Sequence, residues 1–127
     1  MKPSYQELLR RPEWDDKRKH ILRRDHWQCL YCNTTDEEMH VHHILYTDDG
    51  AMPWEYEDDE LFTLCGKCHA EEEIIKSTSE GMLVWAASNG ILYMDMQYIL
   101  GRLTKAVIDK PVAEKRHIIG KYINYLP

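Results

Sequence analysis

Two Cys-x-x-Cys pairs, Cys29/Cys32 and Cys65/Cys68, hold all four cysteines of the chain and limit its possible folds more than any other feature. Each pair turns two thiolates toward one point, and two pairs complete the tetrahedral shell that zinc takes at about 2.3 Å per sulfur. The bland alternative is four unconnected buried thiols. The opening residues, Met1-Lys2-Pro3-Ser4-Tyr5, lack the apolar stretch of a secretory signal, so a cytoplasmic setting is expected. In that setting paired thiols favour metal over disulfides. A closed four-sulfur site does no chemistry. It ties together segments 32 residues apart and so stabilises a core that 127 residues at 43% apolar content make modest.

Charge separates the chain into three zones. The net charge is −6, which argues against a protein that coats nucleic acid without selectivity. Residues 1–35 hold 8 Lys/Arg against 5 Asp/Glu, residues 36–80 hold 2 against 14, and residues 81–127 hold 6 against 3. An acidic middle suits a cation site, and basic flanks suit a polyanion lying across it. Most of these charges, taken singly, also read as solvated surface. No run of eighteen apolar residues occurs, so no membrane span is expected.

Residues 4–11 read as a short helical lead-in, and Pro12-Glu13-Trp14 opens a longer helix: proline fits the first turn, and Glu13, Asp15 and Asp16 favour the positive end of its dipole. Trp14, Ile21 and Leu22 fall close to one face. Arg18, Lys19, Arg23 and Arg24 cover much of the rest, as a phosphate grip or as ordinary helix solvation. Asp25 to Asn33 carries the first knuckle. Residues 39–45 are β-prone, and alternation sets Val41, His43 and Leu45 on one face against His40, His42 and Ile44 on the other. The adjacent His42 and His43 therefore point apart. A long connection follows, with a turn at Asp48-Asp49-Gly50 and with Trp54 and Tyr56 packing it onto the body. Leu61 to Leu64 is a second strand, leading to a helix from about Lys67 to Ser77 on which His69 and Glu73 share a face. Farther on, Asn89-Gly90 predicts a type I′ hairpin within 81–94, with a helix over 82–88 nearly as good a reading. Asp95 caps a helix marked by Leu92, Met96, Ile99, Leu103 and Val107, which Lys110-Pro111 ends; a last helix carries Ile119, Tyr122, Ile123 and Leu126.

His42, His43, His69 and Glu73 are the candidate chemical groups. Phosphodiester hydrolysis needs an activated water, relief of phosphoryl charge and help for the leaving oxygen. One imidazole near its ordinary pKa and one divalent ion meet those needs. Each histidine alone is more often a packing or surface residue; the placement between and directly after two knuckles raises the chemical reading.

The residues also carry a resemblance. Cys29-x-x-Cys32, then Val41-His42-His43-Ile44, then Leu61-Phe62-Thr63-Leu64-Cys65-x-x-Cys68-His69 resembles the HNH endonuclease family, and Pro12 to Asp25 is similar to the helix that commonly precedes that motif. The likeness covers roughly residues 5–76. It implies an α+β fold: a ββα-metal (His-Me finger) core stapled by a four-cysteine zinc site, with an N-terminal helix and a mainly helical C-terminal extension. It implies His43 as the general base and His42 and His69 as ligands of a catalytic ion. Glu73 stands where relatives place a second helical histidine, which favours Mg²⁺ or Mn²⁺, with Ni²⁺ or Zn²⁺ as alternatives. Glu60, with Asp59 beside it, stands where the motif has asparagine; it can ligate an ion but, when ionised, donates no hydrogen bond.

The expectation is therefore a nuclease domain over 1–78 and an extension over 79–127, packed on the same body or on a partner, a homodimer included. The expected activity is metal-dependent cleavage of DNA. The alternatives are a non-catalytic zinc module that binds nucleic acid or protein, and an accessory or inhibitory protein that reuses the fold.

Overall fold

The computed structural model describes every residue except Leu45, Thr47 and Asp48, and it divides into two compact units, Met1–His69 and Ala70–Pro127. The division falls inside a helix, nine residues before the expected boundary after residue 78. Among the described residues, helix predominates and one two-stranded antiparallel sheet is present, an α+β architecture.

In the first unit, helix α1 (Tyr5–Leu8) starts on a capping box. The Glu7 amide donates to Ser4 Oγ at 3.2 Å, and the Ser4 amide donates to Glu7 Oε2 at 2.8 Å. Helix α2 (Pro12–Arg24) has proline in its first turn, Glu13 and Asp15 at the positive end of its dipole and Arg23 and Arg24 at the negative end. It buries Trp14, Ile21 and Leu22, as the apolar spacing predicts. His26 and Trp27 end it in left-handed conformations, φ 56° and 55°. The Trp27 amide reaches Leu22 O at 2.9 Å and the His26 amide reaches Arg23 O at 3.1 Å, the two bonds of a Schellman turn. That turn aims the chain at the first knuckle.

Strands β1 (Met39–His43) and β2 (Leu61–Cys65) pair antiparallel with Met39 opposite Cys65 and His43 opposite Leu61. One face presents Met39, Val41, His43, Leu61, Thr63 and Cys65; the other presents His40, His42, Phe62 and Leu64. Two strands alone are marginal. Here α2 packs on both strands and on the turn Pro53–Glu55, and Trp14, Ile21, Leu22, Val41, Leu61 and Tyr56 form one core. The connection carries 3₁₀ turns at Pro53–Glu55 and Asp58–Glu60, with Tyr56 buried and Trp54 half-buried against the body, as expected. The expected positions of Leu45 and Asp48 lie outside the described residues.

Helix α3 (Gly66–Ser88) starts directly after β2 and runs eleven residues past its expected end near Ser77. Asn89-Gly90 is not a hairpin turn. It closes α3: Gly90 (φ 94°) donates to Ala87 O at 3.1 Å and Ile91 to Ala86 O at 3.0 Å, again a Schellman turn. Helix α4 (Tyr93–Val107) is capped by Asp95, whose Oδ2 accepts from the Leu92 amide at 2.8 Å, and α5 (Val112–Tyr125) begins after Pro111.

Candidate metal centre

The first knuckle closes on itself. Asn33, in the left-handed region at φ 66°, donates its amide to Cys29 O at 2.9 Å, and the Cys29 amide reaches Thr34 O at 3.0 Å. The Leu30 amide donates to Thr63 O at 3.0 Å, which fixes the knuckle against β2. The second knuckle is the junction of β2 with α3, where the Cys68 amide donates to Cys65 Sγ at 3.5 Å. Together they bring four sulfurs within 4.8 Å of one another, and no disulfide joins them.

A tetrahedral zinc with thiolates at about 2.3 Å requires sulfur separations of about 3.8 Å. Cys32 Sγ and Cys65 Sγ are 3.8 Å apart. The donor set is all sulfur, with N–H groups directed at it, so these four cysteines fit a structural metal such as zinc. Electrostatics agree. Burial pushes the Cys29 thiol up, but the amides of Cys32, Cys65 and Tyr31 outweigh it and bring it down to about 7. Burial, and then the three neighbouring thiols, push Cys68 up. Four sulfurs at this spacing ionise together only when a cation shares them.

A second group lies on the other sheet face. His42, His69 and Glu73 offer ligand atoms within 4.8 Å of one another. His42 is buried, His69 half-buried and Glu73 exposed. The His42 and His69 rings are 5.3 Å apart at 74°, which β1 and the first turn of α3 determine. Glu73 is placed by α3 itself, one turn beyond His69. These three side chains, two nitrogens and a carboxylate, can hold a divalent ion. His40 joins them from the same strand face, its ring parallel to that of His69 at 5.3 Å and 9°. Sequence alternation assigns His40 to this face but gives it no role.

His43 points the opposite way, as alternation predicts. Its ring stacks on Trp14 (5.1 Å, 23°) and Tyr46 (5.2 Å, 29°), and Tyr56 meets it edge-on at 5.0 Å. Nε2 is 3.0 Å from Pro53 O. A carbonyl only accepts, so Nε2 carries the proton and Nδ1 keeps the lone pair. Burial lowers the His43 pKa, and the Pro53 carbonyl partly restores it. Of the three aromatic partners Tyr46 is three residues away, whereas Tyr56 and Trp14 come from the connection and from α2, and nothing in the local sequence marks them as a set.

The other expected site residues fall elsewhere. Glu60 ends the strand pairing, its carbonyl accepting from the Ile44 amide at 3.0 Å, but its carboxylate accepts from the Glu57 amide at 2.9 Å and caps the 3₁₀ turn. Arg24 is not a surface grip. It forks onto Asp25 at 2.8 and 2.7 Å and donates to Leu61 O at 2.7 Å and to Asp58 O. Arg18 is half-buried, 3.4 Å from Met39 O, and Lys19 pairs with Asp15 at 2.8 Å within α2. Arg23 is exposed. Asp58 was not foreseen: it accepts from Lys17 at 2.6 Å and from His20 at 2.8 Å, and Lys17 first, then His20, hold its carboxyl below the usual range against a smaller effect of burial.

Comparison of the chain with protein-family models, with curated proteins and with solved structures finds no match.

Proposed function

We propose that the chain is a metal-dependent endonuclease of the HNH type that hydrolyses phosphodiester bonds in DNA. The observation that carries this reading is the split between two neighbours on β1: His42 turns toward His69 and Glu73, while His43 turns to the opposite face with its tautomer set by Pro53 O. A divalent ion on the first group would supply charge to the phosphoryl and leaving oxygens. His43 has the form a general base needs. With the proton on Nε2, its Nδ1 takes the proton of an attacking water, and the lowered pKa keeps the ring neutral at pH 7. Glu73 adds an oxygen donor, which favours Mg²⁺ or Mn²⁺ over zinc at this position. The four-cysteine site takes no part in these steps; with its metal it would hold β2 and α3 so that His69, next to Cys68, faces His42. Exposed Arg23 and half-buried Arg18 offer charge for the DNA backbone. Reduced thiols suit the cytoplasm, and among the described residues no helix is long and apolar enough to cross a membrane.

The test is a plasmid assay with Mg²⁺, Mn²⁺, Ni²⁺ or Zn²⁺, with EDTA suppressing any nicking. His43→Ala is expected to abolish cleavage with zinc content and folding unchanged. Undiminished cutting by that variant removes the base assignment.

One observation favours a second reading, a non-catalytic zinc module that binds nucleic acid or protein: His43 is only 3% exposed and lies among three aromatic rings. DNA binding without EDTA-sensitive nicking under every metal supports that module and rejects the nuclease.

A further inference from the structure

Three imidazoles meet on one face of the sheet, and only two of them belong to the proposed ion group. His40 and His42 are two residues apart on β1 and so share that face, and His69 reaches them from the first turn of α3. All three lie within the first unit. His42 meets His69 edge-on, at 5.3 Å and 74°, whereas His40 is stacked parallel to it, at 5.3 Å and 9°. The His40 ring is itself held. Its backbone stands opposite Leu64 in the sheet, and its Nε2 lies over Gly66, the residue that opens α3. A β-carbon at Gly66 would stand 3.6 Å from that nitrogen, in van der Waals contact. The ring is therefore half-buried between the start of α3 and His69.

We propose that His40 is a positioning residue: stacked on His69, its ring fixes the rotamer in which His69 turns a nitrogen toward the ion shared with His42. The proposal rests on the nuclease reading for the ion and on the ring contacts alone for the stack. Two observations make His40 a support rather than a third imidazole ligand. The first is orientation. The lone pair of an imidazole nitrogen lies in the plane of its ring. An ion in the plane of His69 therefore lies beside the parallel plane of His40, out of reach of its lone pairs. The second is distance. Among the described residues, the ligand atoms within 4.8 Å of one another belong to His42, His69 and Glu73, and His40 is outside that group. What His40 can supply is constraint. A half-buried histidine has several staggered rotamers open to it, and every rotamer turned away from His42 dilutes the form that binds. Offset stacking is a favoured arrangement of flat rings, so the parallel partner selects one rotamer among them. Groups that orient a metal ligand without touching the metal are worth roughly tenfold or more in affinity.

The test compares the full, zinc-loaded chain, unmodified, with His40→Ala and with His40→Phe, which keeps a flat ring but has no nitrogen. Two readouts are taken. Side-chain coupling constants of His69 report its rotamer with no divalent ion added, and titration with Mn²⁺ reports affinity. The unmodified chain and His40→Phe are expected to hold one His69 rotamer and to bind Mn²⁺ within about twofold of each other. His40→Ala is expected to average its His69 rotamers and to bind Mn²⁺ roughly tenfold more weakly, with its zinc retained. A single His69 rotamer in His40→Ala overturns the proposal. An equal loss of Mn²⁺ affinity in both variants overturns it too, because His40 would then act through a nitrogen. If no form of the chain binds Mn²⁺, the ion reading fails and the rotamers alone decide on the stack: averaging confined to His40→Ala supports it, and any other pattern overturns it. If His40→Ala loses its zinc, His40→Leu, which fills the space without a flat ring, takes its place with the same expectations.

Discussion

His43 and Pro53 are joined across the connection between the two strands, Nε2 of the one 3.0 Å from the carbonyl oxygen of the other. This bond fixes which ring nitrogen carries the proton, and the burial that accompanies it lowers the pKa. Nitrogen-15 histidine spectra at pH 7 are therefore expected to show residue 43 as the neutral Nε2–H tautomer. Its titration midpoint should fall below the ordinary value of about 6.5. The unfolded chain takes up that proton first as pH drops, so this group makes the fold less stable in the window below about 6.5. A protonated His43 at neutral pH, or the Nδ1–H form, would contradict the assignment.

Arg24 and its neighbour Arg23 separate a half-buried, bonded side chain from an exposed one. Arg24 is bonded to Asp25, which is 6% exposed and whose Oδ2 also accepts from the Thr63 amide at 3.3 Å. Arg24→Met leaves that carboxylate and the Leu61 carbonyl without their partner. Removing one member of a buried pair costs about 3 kcal/mol, so a clear fall in the urea midpoint is expected. Arg23→Met should change stability by less than about 0.5 kcal/mol, and the proposed nuclease reading predicts that it weakens DNA binding with a smaller salt slope. A stability loss at residue 23 equal to that at residue 24 would refute the distinction.

The two-strand core was legible because its signals are local. Alternation over Met39 to His43 has one solution once apolar side chains must face α2, and the paired cysteines mark where each knuckle turns. At Asn89-Gly90 the helix expected over 82–88 is the one that forms, and the hairpin that competed with it in the sequence has an equally local cause. A type I′ hairpin and a Schellman turn both require a left-handed residue at the same place, and the sequence states only that requirement. The length of α3 decides between them. Arg24 was read as surface because the two carbonyls it bonds besides its neighbour Asp25 lie far off in sequence; Leu61 is 37 residues away. The aromatic enclosure of His43 was hidden because Trp14, 29 residues before it, and Tyr56, 13 after it, meet the ring only in the fold, where Tyr46 joins them.

The two candidate centres are expected to respond independently to substitution. Cys65→Ser removes a buried sulfur from the four-cysteine group and should release the structural metal, melting the β1–β2 pairing with a loss of several kcal/mol. His42→Ala removes a ligand only from the other group. Metal analysis of purified protein should then find zinc retained in full, with weaker binding of added Mn²⁺ alone. Loss of zinc in His42→Ala would mean that the two groups are one site.

Thr63 provides a test of packing at the strand that joins the two knuckles. Its backbone is engaged on both sides, its amide with Asp25 and its carbonyl with Leu30. Its side-chain hydroxyl is buried with no hydrogen-bond partner among the described residues. An unsatisfied buried hydroxyl costs roughly 1–3 kcal/mol, and valine keeps the branched shape and strand preference while removing the oxygen. Thr63→Val is expected to raise stability by about 1 kcal/mol, read as a higher urea midpoint at constant slope, with zinc content unchanged. A lower midpoint would show that the hydroxyl does satisfy a neighbour, and that β2 holds the knuckles by a bond beyond its backbone pairing.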